Sequence, residues 1–149
     1  MRKLIIVQTA TPDYRKKFYS FIKKHLKDCF ELFSGDHYFE STVKSDTTID
    51  FNKKIKNHFL FGNRFLFQTG VFWRHVTKDN VLVLEMNPRI LSNWIILILR
   101  RALQRPTVLW GHAWPRSGSE SKSDKLRNLM RLLWDKIIVY TATQKRELK

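Results

Sequence analysis

Apolar residues along this chain fall into short unbroken runs, separated by stretches in which they recur every three or four positions. Leu4, Ile5, Ile6 and Val7 form the first run, as expected of a strand covered on both faces. Thr11, Pro12 and Asp13 then supply an N-cap, a proline at the first helical position and an acid in the first turn. The helix they open is expected to bury Phe18, Phe21, Ile22 and Leu26, and to turn Lys16, Lys17, Lys23, Lys24 and Lys27 to solvent. Residues 29–33 read as a second strand and residues 34–50 as polar, irregular chain. In the aromatic-rich stretch 51–73, residues 65–67 predict a strand, and a helix follows over 70–76. Residues 81–84 predict a strand, and Ser92 caps a helix over 93–103. A strand over 107–110 follows, then a helix capped by Ser123 and ending near Trp134. Residues 137–140 predict the last strand, after which Thr143 opens a further helix.

Alternating strands and helices with apolar strands define an α/β chain. The expected architecture is a Rossmann-like three-layer domain with a mainly parallel sheet, occupying residues 1–149 as a single unit. Right-handed crossovers put the carboxyl ends of such strands on one edge, where ligands sit in open sheets. Thr9, Ala10 and Thr11 follow the first strand, Glu85 to Arg89 follow the strand over 81–84, and Gly111 and His112 follow the strand over 107–110. Three polar loops are therefore expected to face one crevice.

Composition narrows what could occupy it. At 149 residues, 43% of them hydrophobic, the chain is long and apolar enough to bury a core. Lys and Arg number 28 against 13 Asp and Glu, a net charge of +15. A surface this basic attracts nucleic acid, anionic lipid headgroups or phosphorylated substrates. The single cysteine, Cys29, excludes an internal disulfide and cysteine-built metal sites, and fits a reducing, cytoplasmic compartment. No two histidines stand at ligand spacing, so no metal is expected. Residues 4–7 are too short for a secretory core, and the longest apolar run, 94–99, is far below the roughly 20 residues of a membrane span. Neither G-x-G-x-x-G, a P-loop nor a G-x-S-x-G elbow occurs, so the chain carries no phosphate-cradling loop of a known pattern.

Four segments resemble the N-terminal, acceptor-side domain of glycosyltransferases with the two-lobed GT-B fold, of the kind grouped in glycosyltransferase family 4. Residues 11–19, T-P-D-Y-R-K-K-F-Y, are similar to the P-x-Y-R-x-x-F start of many O-antigen and capsule polysaccharide transferases. Residues 84–94, L-E-M-N-P-R-I-L-S-N-W, resemble the loop entering the fourth helix. Residues 108–114, V-L-W-G-H-A-W, resemble the strand whose terminal histidine faces the cleft between lobes. Residues 137–148 resemble the segment leading towards the second lobe. The glycine-rich first loop of many family members is absent here.

The resemblance implies one half of a GT-B fold, cut before a donor-binding C-terminal domain and inactive alone. It implies metal-independent transfer of a sugar from a nucleotide-sugar donor to a lipid-linked or polysaccharide acceptor, with no bound cofactor. His112 and Glu85 are then the catalytic candidates. His112 would hydrogen-bond the donor sugar or steady charge at the anomeric carbon; the plainer reading is that it satisfies a loop carbonyl. Glu85 would contact or deprotonate the acceptor hydroxyl; the plainer reading is a pair with Arg89. Arg15, Asn87, Arg89 and Arg116 are the acceptor-binding candidates.

The basic charge has a reading of its own. Residues 51–78 contain no acid, and aromatics are interleaved with their cations. Lys53, Lys54, Lys56 and Arg64, with Phe59, Phe61 and Trp73 as the exposed aromatics, are expected to meet an anionic membrane surface. That places the protein on the inner face of the cytoplasmic membrane. Two rival classes remain: a basic nucleic-acid-binding module, which lacks any recognition helix or RNP-like motif, and a non-catalytic partner of a separately encoded donor domain.

Overall fold

The computed structural model describes residues 1–112 and 122–147. In chain order the elements are β1 (Leu4–Gln8), α1 (Lys16–Leu26), β2 (Phe30–Ser34), β3 (Asn52–Lys54), β4 (Lys56–Leu60), β5 (Phe65–Thr69) and β6 (Val81–Glu85). They continue with α2 (Leu91–Ala102), β7 (Thr107–Trp110), α3 (Lys122–Arg131), β8 (Lys136–Ile138) and α4 (Ala142–Glu147). Six strands form one sheet in the order β3-β2-β1-β6-β7-β8, and every neighbouring pair is parallel. The chain grows outward from β1 to β3, returns across β1 to β6, and then grows the other way. This is the doubly wound order, with its switch point between β1 and β6.

Alternate residues of each strand sort into two cores. Ile5, Val7, Leu82, Leu84 and Leu109 pack with Ile96 and Leu97 of α2 and Met130 of α3. Ile6, Leu32, Val83 and Trp110 face the other way and pack with Tyr19 of α1. The sheet is therefore the middle of three layers, which is the expected Rossmann-like α/β architecture, and its unbroken apolar runs follow from that double coverage.

Several local expectations are corrected. Helix α1 is rotated by about one residue from the expected face. Tyr19 is fully buried against Trp110, with ring centroids 6.2 Å apart; Phe21 and Leu26 are exposed, Phe18 is half exposed with its ring 5.4 Å from that of Trp110, and Ile22 packs on the core. Thr11 does not cap the helix: its hydroxyl bonds the Ser34 hydroxyl at 3.0 Å, and a 3-10 turn (Asp13–Arg15) intervenes. Ser92 is likewise no cap, because its buried hydroxyl accepts from the Gln68 amide at 3.2 Å. The side chain of Ser123 lies outside the described residues. The last helix begins one residue before Thr143, and it is Thr141 Oγ1 that accepts from the Gln144 amide.

Strands β3 and β4 carry no apolar run and are absent from the sequence expectation. β4 is K-N-H-F-L; it pairs antiparallel with β5, and its half-buried positions are Asn57 and Phe59. Over 70–76 the expected helix is a 3-10 turn (Val71–His75). Beneath the sheet, the fully buried Arg100 of α2 closes the loops before β6 and β7. It donates to the carbonyls of His75, Val76, Lys78, Asn80 and Pro106 and to Thr107 Oγ1, all within 3.3 Å.

Candidate functional site

The loops after β1, β6 and β7 stand side by side, because those strands are consecutive neighbours in a parallel sheet. Backbone bonds lock them together. The Met86 amide donates to the Trp110 carbonyl at 2.9 Å, and the Gly111 amide donates to the Ile138 carbonyl at 3.1 Å. Gly111 is needed for this approach, since a Cβ there would lie 3.0 Å from the Cβ of Met86. The apolar strand β7 thus ends in glycine so that two loops can touch, and His112 emerges beside them on the rim.

Glu85, the last residue of β6, sits at the switch point. Its Oε2 accepts from the Thr9 amide at 2.8 Å and from the Thr9 hydroxyl. Burial pushes the Glu85 carboxyl above its ordinary value, while the Thr9 bonds and the charge of Arg15 pull it down. Asn87 shapes its own loop and ties it to a distant one: its Oδ1 accepts from the Arg89 amide at 3.1 Å, and its Nδ2 donates to the Tyr38 hydroxyl at 3.1 Å. The Tyr38 phenol is pushed up to about 12 by burial and by the charge of Glu85, so it stays a neutral donor at the rim.

Across the crevice, Arg15 lies in an aromatic frame. Its guanidinium is 5.1 Å from the Trp110 ring centroid and 5.7 Å from that of Tyr140. Nη1 donates to Gln8 Oε1 at 3.0 Å and Nη2 to the Tyr140 hydroxyl at 2.7 Å. A positioned, half-buried cation of this kind suits a phosphate or sugar oxygen better than a solvated helix face does. His112 is exposed on the same rim. Its ring centroid is 4.5 Å from that of Tyr140, its Nδ1 is 3.4 Å from Gln144 Nε2, and its carbonyl accepts from Arg127 at 2.7 Å.

A hairpin supports the crevice from beside β1. Asn57 Nδ2 donates to the carbonyls of Thr9 and His37, at 2.9 and 3.0 Å. Gln68 Nε2 donates to the Gln8 carbonyl at 3.2 Å and to Asn57 Oδ1 at 3.0 Å. These two amides hold the loop after β1 in place. An open hollow of about 410 Å³, lined by Pro12, Asp13, Tyr14 and residues 42–47, adjoins the same loop.

The structure brings Arg15, Glu85, Asn87 and His112 to one rim. It does not bring Arg89: that guanidinium lies 3.9 Å over Phe39 and donates to the carbonyls of Asn63 and Arg64, pinning the hairpin tip. Glu85 therefore bonds Thr9, and the expected plain pair with Arg89 does not form. Arg116 lies outside the described residues.

The expected membrane face is also redistributed. Lys53 is tied to Glu31 at 2.6 Å, and Lys54 to Asp36 at 3.4 Å. Phe59 stacks on His37 with centroids 4.8 Å apart, and Trp73 stacks on Phe67 while its Nε1 donates to the Gln68 carbonyl. Both are packed, contrary to expectation. Lys56 and Arg64 are exposed, and Phe61, 77% exposed, stands at the hairpin tip.

Thr9 lies in a loop expected at the crevice, whereas Tyr38, Asn57, Gln68 and Tyr140 belong to the site without having been expected there. Tyr140 was within reach, because it follows β8 as His112 follows β7. Asn57 and Gln68 had no signal, since their role is to satisfy loop carbonyls far away in sequence. Among the described residues no group of three His, Cys, Asp or Glu could hold a metal ion, and no helix is long and apolar enough to cross a membrane.

Fold and rim together define a Rossmann-like α/β domain with a polar crevice at the switch point of its sheet. Comparison with known proteins finds no matching family model, no matching curated protein and no matching solved structure.

Proposed function

We propose that this chain is the acceptor-binding lobe of a glycosyltransferase. It would take a sugar from a nucleotide-sugar donor held on a second lobe and pass it to a lipid-linked or glycan hydroxyl, working peripherally on an anionic membrane. The observation that carries the reading is Glu85. One of its oxygens is fixed by Thr9, and no hydrogen bond from the described residues reaches Oε1. A half-buried carboxylate with a raised proton affinity is suited to accept a proton from a bound alcohol.

In the step, the acceptor hydroxyl gives its proton to Glu85 as its oxygen bonds the anomeric carbon. The bond from that carbon to the nucleoside diphosphate breaks, and the diphosphate leaves with the electron pair. Arg15 attracts phosphate or ring oxygens to the crevice, Asn87 and Tyr38 orient the acceptor, and His112 faces the donor from the rim. Phe59, Phe72 and Trp73 are packed, which leaves the exposed rings of the 51–78 stretch, Phe61 and Phe65, gathered at the hairpin tip rather than spaced along a basic groove as single-stranded nucleic acid requires; this supports the transferase reading over the nucleic-acid one.

The test is transfer of labelled sugar to a membrane lipid extract by the complete enzyme. Glu85→Gln is expected to slow transfer by about a hundredfold or more, and His112→Ala by about tenfold or more, with circular dichroism unchanged. A Glu85→Gln enzyme working at the wild-type rate would remove the carboxylate from the mechanism.

A further inference from the structure

Helix α1 presents an outer face that the core uses only through one edge of Phe18. Tyr14 in the preceding 3-10 turn, then Phe18, Phe21 and His25, recur at i, i+4, i+7 and i+11 and are exposed, Tyr14 by 71% and Phe21 by 63%. At ~1.5 Å rise per residue they form a stripe about 16 Å long. Lys17 and Lys24, also exposed, stand one turn on either side of Phe21. Lys27 follows, and the only acids between residues 13 and 28 are Asp13 and Asp28, at the two ends. Tyr19 and one edge of Phe18 pack on Trp110, with ring centroids 6.2 and 5.4 Å away, which leaves Phe21 and the other edge of Phe18 on the stripe.

We infer that this face of α1 is the surface that docks on an anionic lipid bilayer, with the Phe18 and Phe21 rings entering the headgroup boundary and Lys17, Lys24 and Lys27 on lipid phosphates. The inference rests on the peripheral-membrane part of the reading above and is independent of the transfer chemistry. It moves the contact away from the 51–78 stretch, where Phe59 and Trp73 are packed and Lys53 and Lys54 are ion-paired. Charge complementarity selects the occupant: a net charge of +15, with lysines along a convex apolar crest, matches a flat negative sheet with an apolar interior. A nucleic-acid strand needs a groove that tracks its backbone, and the crest of α1 has none.

The location also suits the site. The crest begins at Tyr14, which lines the hollow beside the loop after β1. A lipid-linked acceptor held in the bilayer would thus reach the rim from the N-terminal end of α1.

Co-sedimentation with mixed phosphatidylglycerol–phosphatidylcholine vesicles, against pure phosphatidylcholine vesicles, tests this. The wild type should bind the anionic vesicles selectively. Phe18→Ser/Phe21→Ser and Lys17→Glu/Lys24→Glu should each lower the affinity by about tenfold or more. Leu60→Ser/Phe61→Ser at the hairpin tip should change it by less than about threefold, with urea midpoints confirming that every variant folds. Binding that survives both α1 variants but is lost in the hairpin variant overturns the assignment to α1 and leaves peripheral association standing. A wild type that ignores anionic vesicles overturns both, whether it instead binds oligonucleotides or forms a Phe21-dependent dimer in the ultracentrifuge. The transfer chemistry is judged separately, by the effect of Glu85→Gln on the rate.

Discussion

Acid should loosen this fold through one buried carboxylate. Glu31 of β2 has a side chain only 6% exposed, and four basic groups surround it: Lys3 at 2.8 Å, Lys53 at 2.6 Å, Arg74 at 3.4 Å and His75 at 3.5 Å. Burial by itself would raise the carboxyl, but hydrogen bonds from Lys3 and Lys53 overcome it and hold the group at about 2, against an ordinary 4.5. At ~1.36 kcal/mol per pH unit, that difference contributes about 3 kcal/mol to folding at neutral pH. Because the folded value is depressed, the contribution is complete above pH 4.5 and fades as pH falls through the folded value near 2. Urea unfolding of the wild type and of Glu31→Gln, followed by circular dichroism from pH 7 downward, isolates it. At pH 7 the variant should be less stable by about 3 kcal/mol or more, because Gln leaves three cations facing one another. Below pH 4.5 the gap should narrow, since only the wild type is losing this contribution. A gap that stays constant across the acid limb would refute the assignment of the acid sensitivity to Glu31.

Arg100→Met should remove one donor from each of five carbonyls and one hydroxyl, of which the carbonyls of His75, Lys78 and Pro106 keep a backbone amide. The expected loss is about 3–5 kcal/mol, seen as a fall of roughly 10 °C in thermal midpoint. A fall of under about 2 °C would show that the loops close without it. At Gly35 an added Cβ would lie 2.1 Å from the Asn57 side-chain amide, so Gly35→Ala should unseat the support of the Thr9 loop. Hydrogen exchange of β4 and β5 should accelerate by about tenfold or more, while β1 and β6 stay protected; uniform protection would contradict the role given to Asn57.

What the sequence made legible follows its physics closely. The doubly covered strands announced themselves, because burial on both faces demands unbroken apolar runs; β1, β6 and β7 lie where Ile5, Leu82 and Leu109 required. The rim was readable for the same reason, since parallel strands fix where their following loops gather. The hairpin was not readable, because β4 is held by Asn57 and by pairing to β5 rather than by an apolar face. The orientation of α1 differs from expectation because five aromatic or aliphatic residues compete for one narrow face, and the winner depends on the shape of Trp110. Thr11 and Ser92 looked like caps, yet both hydroxyls serve buried contacts between distant segments. Arg89 looked like a ligand contact because no local signal marks the carbonyls of Asn63 and Arg64 as its partners.

The crevice at the β1–β6 switch point can be probed directly by titrating the labelled protein with an acceptor glycan and recording amide shifts by NMR. Saturable shifts at Thr9, Glu85, Asn87 and His112, abolished by Arg15→Ala, are the predicted result. Shifts confined to the far side of the sheet, around Arg100 and Asp135, would contradict the account.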